Sequence, residues 1–229
     1  MTTRSLHRYE DLAGLLSQMT GDEKHSSAAT STLDVVWVLY DRIMRINPDR
    51  PDDPARDRFL LSKGHGPMAY YAVLAAKGFI SDGELESWAT FDSVLGMHPD
   101  RTLVPGVEIS SGSLGHGLPI AVGVALGLRA RANPARVFCL VGDAELHEGS
   151  NHEAIAVAAR FELASLIAVV IDNSPEAGRW PGGVAARFEV EGWTAATVDG
   201  RDHDDIERGI LAGGGRLPHV VVARIEPEH

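Results

Sequence analysis

The segment "CLVGDAELHEGSNHEA", residues 139–154, gathers Asp143, Glu145, His147, Glu148, His152 and Glu153 directly behind an apolar run. Thirty positions after Asp143 a second apolar run, "LIAVVIDN", closes on Asn173. An Asp carboxylate and an Asn amide oxygen are hard donors of the kind that hold magnesium or calcium, with phosphate oxygens filling the remaining positions. The turn after Gly142 offers backbone N–H groups to the same anion, and Ala144 has a side chain too small to cover them. A structural reading competes, because Asp behind Gly at a strand end also serves as a helix cap. Glu153 interrupts the apolar helix pattern "HEAIAVAA". Buried, it would need a partner and could relay a proton; on the wet face it is a surface charge. Glu148 stands in the turn before that helix, either to steady anion-binding backbone or as another surface charge.

Several of the ten histidines sit beside small residues: His25 in "DEKHSSAAT", His65 in "LSKGHGPM", His98 in "LGMHPD" and His116 in "GSLGHGLP". Adjacent glycines let backbone approach a ligand, and neutral imidazole moves protons near physiological pH. These groups are either structural or the lining of a polar cleft. His147 and His152 lie five apart across a turn, a spacing that suits neither i,i+4 ligation nor one helix face. Cys139, the one cysteine, excludes an internal disulfide and any cysteine-ligated zinc or iron–sulfur centre in these residues, and reads as a buried, inert thiol. "GSLGHG" has dinucleotide-like glycine spacing but does not follow a clear strand, and no "GKS" or "GKT" phosphate loop occurs.

The elements that must position these groups follow from the apolar patterning. Residues 5–20 and 33–46 have helical spacing, and "NPDRPDDPARDR" is a loop. "GPMAYYAVLAAKG" is a buried helix closed by Gly78, and Ser81 with Glu84 forms a capping box. The stretch "PGVEISSGSLG" cannot be a regular strand; the small-residue helix 115–131 follows it, apolar enough to be buried in its own subunit or at a subunit interface. "RVFCLV", "LIAVVIDN", "WTAATVDG" and "HVVVARIE" read as strands, with helices "SNHEAIAVAARFEL" and "DHDDIERGIL" among them. Continuous apolar strands alternating with helices predict an α/β fold, a parallel sheet with helices on both faces, in one domain over residues 1–229. Ligands in such sheets bind beyond the carboxyl ends of the strands, where Asp143 and Asn173 stand. Of 229 residues 44% are hydrophobic and 23% charged, and the net charge of -11 disfavours nucleic acid or an anionic membrane as partner without excluding a small anion. With no transmembrane-length window and no apolar signal core, a cytoplasmic location is expected.

Taken together, the ordered blocks resemble the N-terminal, diphosphate-binding domain of transketolases: "RDRFLLSKGHG", "GMHPD", "GVEISSGSLGHGLPIAVGVALG", "GDAELHEGSNHEA" and "VVIDN", over about residues 25–205. The resemblance implies a thiamine-diphosphate-binding fold and thiamine diphosphate with Mg2+, calcium or manganese being able to replace it. It implies transfer of a two-carbon ketol unit from a ketose (phosphate) donor to an aldose acceptor. Asp143 and Asn173 resemble the side-chain metal ligands, with the carbonyl of Pro175 as a third. Gly142, Ala144, Gly112 and Leu114 resemble the lining of the diphosphate and thiazolium region, Ala144 contributing a backbone N–H where the family has Gly. His65 resembles the histidine near the diphosphate and reacting centre, and His98 the one that contacts donor hydroxyls. Glu148 and Glu153 resemble the acids that link cofactor sites across a dimer.

Departures accompany the likeness. Where the family has Ser-Gly-His-Pro-Gly this chain has "EKHSSAA"; His25 aligns without its glycines and proline. The segment after Asn173 is shorter than in full transketolases and lacks Ile-Asp-Gly. The pyrimidine-binding and C-terminal domains are not among these residues. They are expected on a separate C-terminal transketolase subunit, in an assembly of two such chains with two partners (alpha2beta2). Two readings compete with this one: a thiamine-dependent enzyme that condenses or decarboxylates keto acids, and a degenerate structural partner.

Overall fold

The computed structural model describes residues 7–19, 30–64, 67–173 and 180–225. Its centre is one five-stranded sheet of β1 (Arg58–Leu61), β2 (Val137–Gly142), β3 (Leu166–Asp172), β4 (Thr194–Asp199) and β5 (His219–Arg224), in the order β1-β2-β3-β5-β4. Every neighbouring pair is parallel. The central strands are buried along their length because both faces are covered, which is why they read as unbroken apolar runs.

The period of two sorts each strand between two cores. Phe138, Leu140, Ile167 and Val169 face one layer, formed by α1 (Leu12–Gln18), α2 (Leu33–Val38, continued by a wider turn over Leu39–Ile43), α3 (Met68–Ala76) and α8 (His203–Leu211). The short α4 (Asp82–Leu85) closes that layer, and Glu84 accepts the backbone N–H of Ser81 at 2.7 Å. Val137, Cys139, Val141 and Val170 face the other layer, formed by α5 (Gly117–Ala130), α6 (Gly149–Arg160) and α7 (Gly183–Glu189). The layer arrangement is the predicted one. The additions are β1 and α7, which the apolar patterning did not yield: β1 is only four residues long, and α7 is carried by Val184 and Phe188, buried and four apart. Cys139 is fully buried, and burial first, then the charge of Glu145, pushes its thiol well above the usual range. Among the described residues no helix is long and apolar enough to cross a membrane.

Trp193 ties this second layer together. Its ring meets Phe188 edge-on at 5.1 Å and its Nε1–H donates to the carbonyl of Ile155 at 2.9 Å. Trp193→Phe removes that bond and part of the packing, and is expected to cost about 1.5 kcal/mol, lowering Tm by about 3–6 °C in thermal melts.

Candidate diphosphate and cation site

The carboxyl ends of β1, β2 and β3 deliver the loop Ser62–Gly64, the turn from Asp143, and Asp172–Asn173 to one edge of the sheet. Gly142 is in register with Ile171, and the Asp143 N–H donates to the Ile171 carbonyl at 3.1 Å, so Asp143 leaves β2 stitched to the end of β3. Asp143 is only 8% exposed. Its Oδ1 accepts the Ala144 N–H at 2.8 Å, while its buried Oδ2 has no hydrogen-bond partner among the described residues. Beside it, burial and then the charge of Asp143 raise the Asp172 carboxyl above its ordinary value, with Arg224 opposing. Lys63, half-buried with its stem against Gly142, is pushed down by burial while the charges of Asp143 and Glu145 hold it up. Burial likewise raises Glu145, whose bonds to Ser62, Gly115 and Gly142 oppose the shift. A buried carboxylate oxygen without a partner is costly, and a cation satisfies it directly.

The segment 111–117 lies between these loops, and glycine is what lets it. A Cβ on Gly64 would come within 2.5 Å of the Gly112 nitrogen. Gly112 has φ 135°, where side chains are strained, and a Cβ there would sit 2.7 Å from Cδ2 of His98. Gly115 has φ 80°, and a Cβ would meet Glu148 and Ser150 at 2.6 Å. A Cβ on Gly117 would overlap Ser62. Gly112→Ala is expected to push the His98 ring away and to cost about 1–3 kcal/mol, read as a changed His98 imidazole resonance and a lower Tm.

Gly142, Asp143 and Glu148 thus gather with Gly112 on one edge, and the exposed His98 ring packs on Gly112. Asn173 follows the end of β3 and is half-buried, and Leu114 is 39% exposed at the rim. Ala144 is exposed, but its N–H, expected for an anion, is taken here by Asp143 Oδ1. Glu153 is exposed on α6, so the wet-face reading holds and the buried relay does not. His25, His65 and Pro175 lie outside the described residues. Among the described residues no group of three His, Cys, Asp or Glu side chains could hold a metal ion; the two-side-chain set of Asp143 and Asn173 is not of that kind.

Two features escaped the sequence reading. Glu145 is a buried acceptor at the centre of the site, hidden in a run whose other glutamates, Glu148 and Glu153, face water. Trp180 stacks on His147 at 5.2 Å and lies 5.5 Å from His152, whose Nδ1 is 2.8 Å from Arg187 Nη2. The five-residue spacing of the two histidines therefore serves ring contacts across the start of α6 rather than ligation.

A parallel sheet with a buried carboxylate and glycine-lined turns at its carboxyl edge gives an α/β domain whose edge has donors suited to an anion and a cation. The chain belongs to the family described as "Transketolase, thiamine diphosphate binding domain", which residues 18–214 match. It is 55% identical over 218 residues to a Rhodococcoides fascians protein named ferredoxin fas2, covering 95% of this chain and 72% of that one. The single cysteine means that no cysteine-ligated cluster can lie in this chain, so that name carries nothing over. It is 34% identical over 207 residues to one of the subunits of the apulose-4-phosphate transketolase of Phocaeicola vulgatus, covering 87% of this chain and 73% of the relative. Transketolase of Pichia stipitis, solved with sedoheptulose-7-phosphate, superposes with a TM-score of 0.75 at 25% identity, over 92% of this chain and 36% of that one. The Campylobacter jejuni enzyme shares the fold, with a TM-score of 0.77 at 23% identity over 94% of this chain and 37% of that one. The chain therefore spans little more than a third of the solved transketolases it matches.

Proposed function

We propose that this chain is the diphosphate- and cation-binding subunit of a two-chain, thiamine-diphosphate-dependent transketolase-like enzyme, moving a two-carbon ketol unit from a ketose phosphate to an aldose. The observation that carries the reading is the buried, unpartnered Oδ2 of Asp143 beside the end of β3 and the glycine turns. Thiamine diphosphate, when bound, supplies the electron sink for cleaving the donor's carbon–carbon bond. Asp143 and Asn173 would hold Mg2+, with the carbonyl of Pro175 as the third protein ligand that the family resemblance implies. Gly112, Leu114, Gly142 and the Ala144 N–H would line the anion, which would compete with Asp143 Oδ1 for that N–H. By the family resemblance, His65 would serve the diphosphate and reacting centre, and His98 and His25 would exchange protons with sugar hydroxyls. Glu148 and Glu153 reach toward a second copy.

The partner is a separate chain carrying the pyrimidine-binding half. Relatives whose names make them one subunit of a transketolase support it, as do the exposed apolar side chains of Ile120 on α5, Val157 on α6 and Phe161 just after α6, which an alpha2beta2 assembly would cover. The test is co-expression with the complementary chain, followed by a ketol-transfer assay with thiamine diphosphate and magnesium, offering ketose phosphates and pyruvate as donors in parallel. Turnover only with the ketose is expected. Turnover only with pyruvate would replace the donor, and an assembly that binds no cofactor would remove the proposal.

A further inference from the structure

Glu145 has no part in the roles assigned above, yet it is the most tightly held acid of the site. It is 1% exposed, in the 3-10 turn Ala144–His147 behind β2. Its Oε1 accepts the Ser62 hydroxyl and, at 2.8 Å, the Gly115 N–H. Its Oε2 accepts the Gly142 N–H at 3.3 Å. Ser62, itself 1% exposed, accepts the Gly117 N–H at 3.0 Å, so its own proton is committed to Glu145. The Gly115 carbonyl is held in turn by the Ser150 hydroxyl at 2.6 Å, and the Glu145 carbonyl accepts Asn151 Nδ2 at 2.7 Å. All of Glu145's carboxylate partners are donors, which is the environment of an ionised carboxylate acting only as acceptor. The bonds join the end of β1, the end of β2 and the first residues of α5.

We infer that Glu145 is a positioning residue: with Ser62 as its extension, it clasps Gly115 and Gly117 and so fixes the glycine segment 111–117 against Asp143, setting the shape of the diphosphate cradle. The inference rests on the cofactor reading above and adds a residue to it. The clasp also occupies two amides at the N-terminus of α5, so the anion is left to the amides around Gly112, Leu114 and Ala144.

The test uses the full chain as wild type, Glu145→Gln, Ser62→Ala and the double variant. Gln keeps the shape but presents an NH2 group to at least one donor. Hydrogen exchange of the amides at 115–117 is followed by mass spectrometry on the chain alone. Affinity for thiamine diphosphate with magnesium is measured by calorimetry on the chain assembled with its partner, well below the melting temperature. Expected are at least about tenfold faster exchange confined to this segment and an about 10–100-fold higher Kd in Glu145→Gln, the size of effect seen when a residue orienting a site is lost. Ser62→Ala should weaken binding less, and the double variant no more than Glu145→Gln, because the two act as one unit. Unchanged exchange, acceleration spread evenly over the sheet, multiplicative losses, or an unchanged Kd against a binding wild type would each overturn the clasp. A wild-type assembly that binds no thiamine diphosphate overturns instead the reading beneath it.

Discussion

Asp143→Asn should weaken magnesium-dependent binding of thiamine diphosphate by about 100-fold while leaving the unliganded chain at least as stable as wild type. The two effects have one cause. Asp143 is a buried charge with one oxygen on the Ala144 N–H and the other without a partner, next to a second carboxyl, Asp172, that its charge already perturbs. The two carboxyls repel, an effect that Lys63 offsets only in part, and a bound cation would offset the rest. Asn keeps the shape and one oxygen but removes the charge that a divalent ion needs, and a loss of about 100-fold in affinity, ~2.7 kcal/mol, is expected by calorimetry. Relief of the repulsion is expected to raise Tm by about 2–4 °C, equivalent to about 1 kcal/mol. The pH dependence gives a separate check. The folded Asp172 carboxyl lies above its unfolded value, so the folded state binds more protons there and stability falls as pH rises from the ordinary Asp value through the raised one. Removing the neighbouring charge should flatten that fall. A variant that melted well below wild type would show that Asp143 is a structural cap.

Four of the five strands and the layers were legible, the central ones because full burial on both faces leaves unbroken apolar runs, as in "RVFCLV" and "LIAVVIDN"; β1, four residues long, leaves too short a run. Asp143 and Asn173 could be picked out for a similar reason: each ends such a run, and parallel strands bring their carboxyl ends to one edge. What stayed hidden were pairings between side chains distant in sequence. Nothing in "GDAELHEG" distinguishes buried Glu145 from exposed Glu148, because the difference lies in Ser62, 83 positions away. The helix α7 was obscured by the glycines around its start, Gly182 and Gly183 with φ near 82°, which look like loop until Val184 and Phe188 are seen to be buried. Glu153 shows the converse: the apolar residues beside it face the sheet, and a carboxylate among them falls on the outer side.

Asp57→Asn should do the opposite of Asp143→Asn: destabilise the chain and leave cofactor affinity unchanged. Asp57 precedes β1 at the amino edge of the sheet and is fully buried. Its Oδ1 accepts Arg45 Nη2 at 2.9 Å and the Arg136 N–H at 2.8 Å, and its Oδ2 accepts the Arg45 N–H at 3.0 Å and Arg136 Nη2 at 2.7 Å. Burial alone would raise this carboxyl, but the bonds from Arg45 and Arg136 outweigh it and hold it below its ordinary value. An Asn in either orientation sets an NH2 group against two of these donors. Breaking a buried pair costs about 3–5 kcal/mol, and the partial exposure of both arginines favours the lower end, about 3 kcal/mol. For a chain of this size that is a fall of about 6–12 °C in Tm. Because the folded carboxyl is depressed, its contribution is present above the unfolded value of about 3.9 and is lost as pH drops through the folded one, so wild type should shed this stability in acid and the variant should have none to shed. β2 is flanked by Arg136 at one edge and Asp143 at the other, with the acid Asp57 satisfied at the first and Asp143 left open at the second. Equal destabilisation by both variants would show that the two edges are not divided in this way. Opposite signs in Tm, with affinity lost only at Asp143, would show that the amino edge holds the sheet and the carboxyl edge keeps its charge for a ligand.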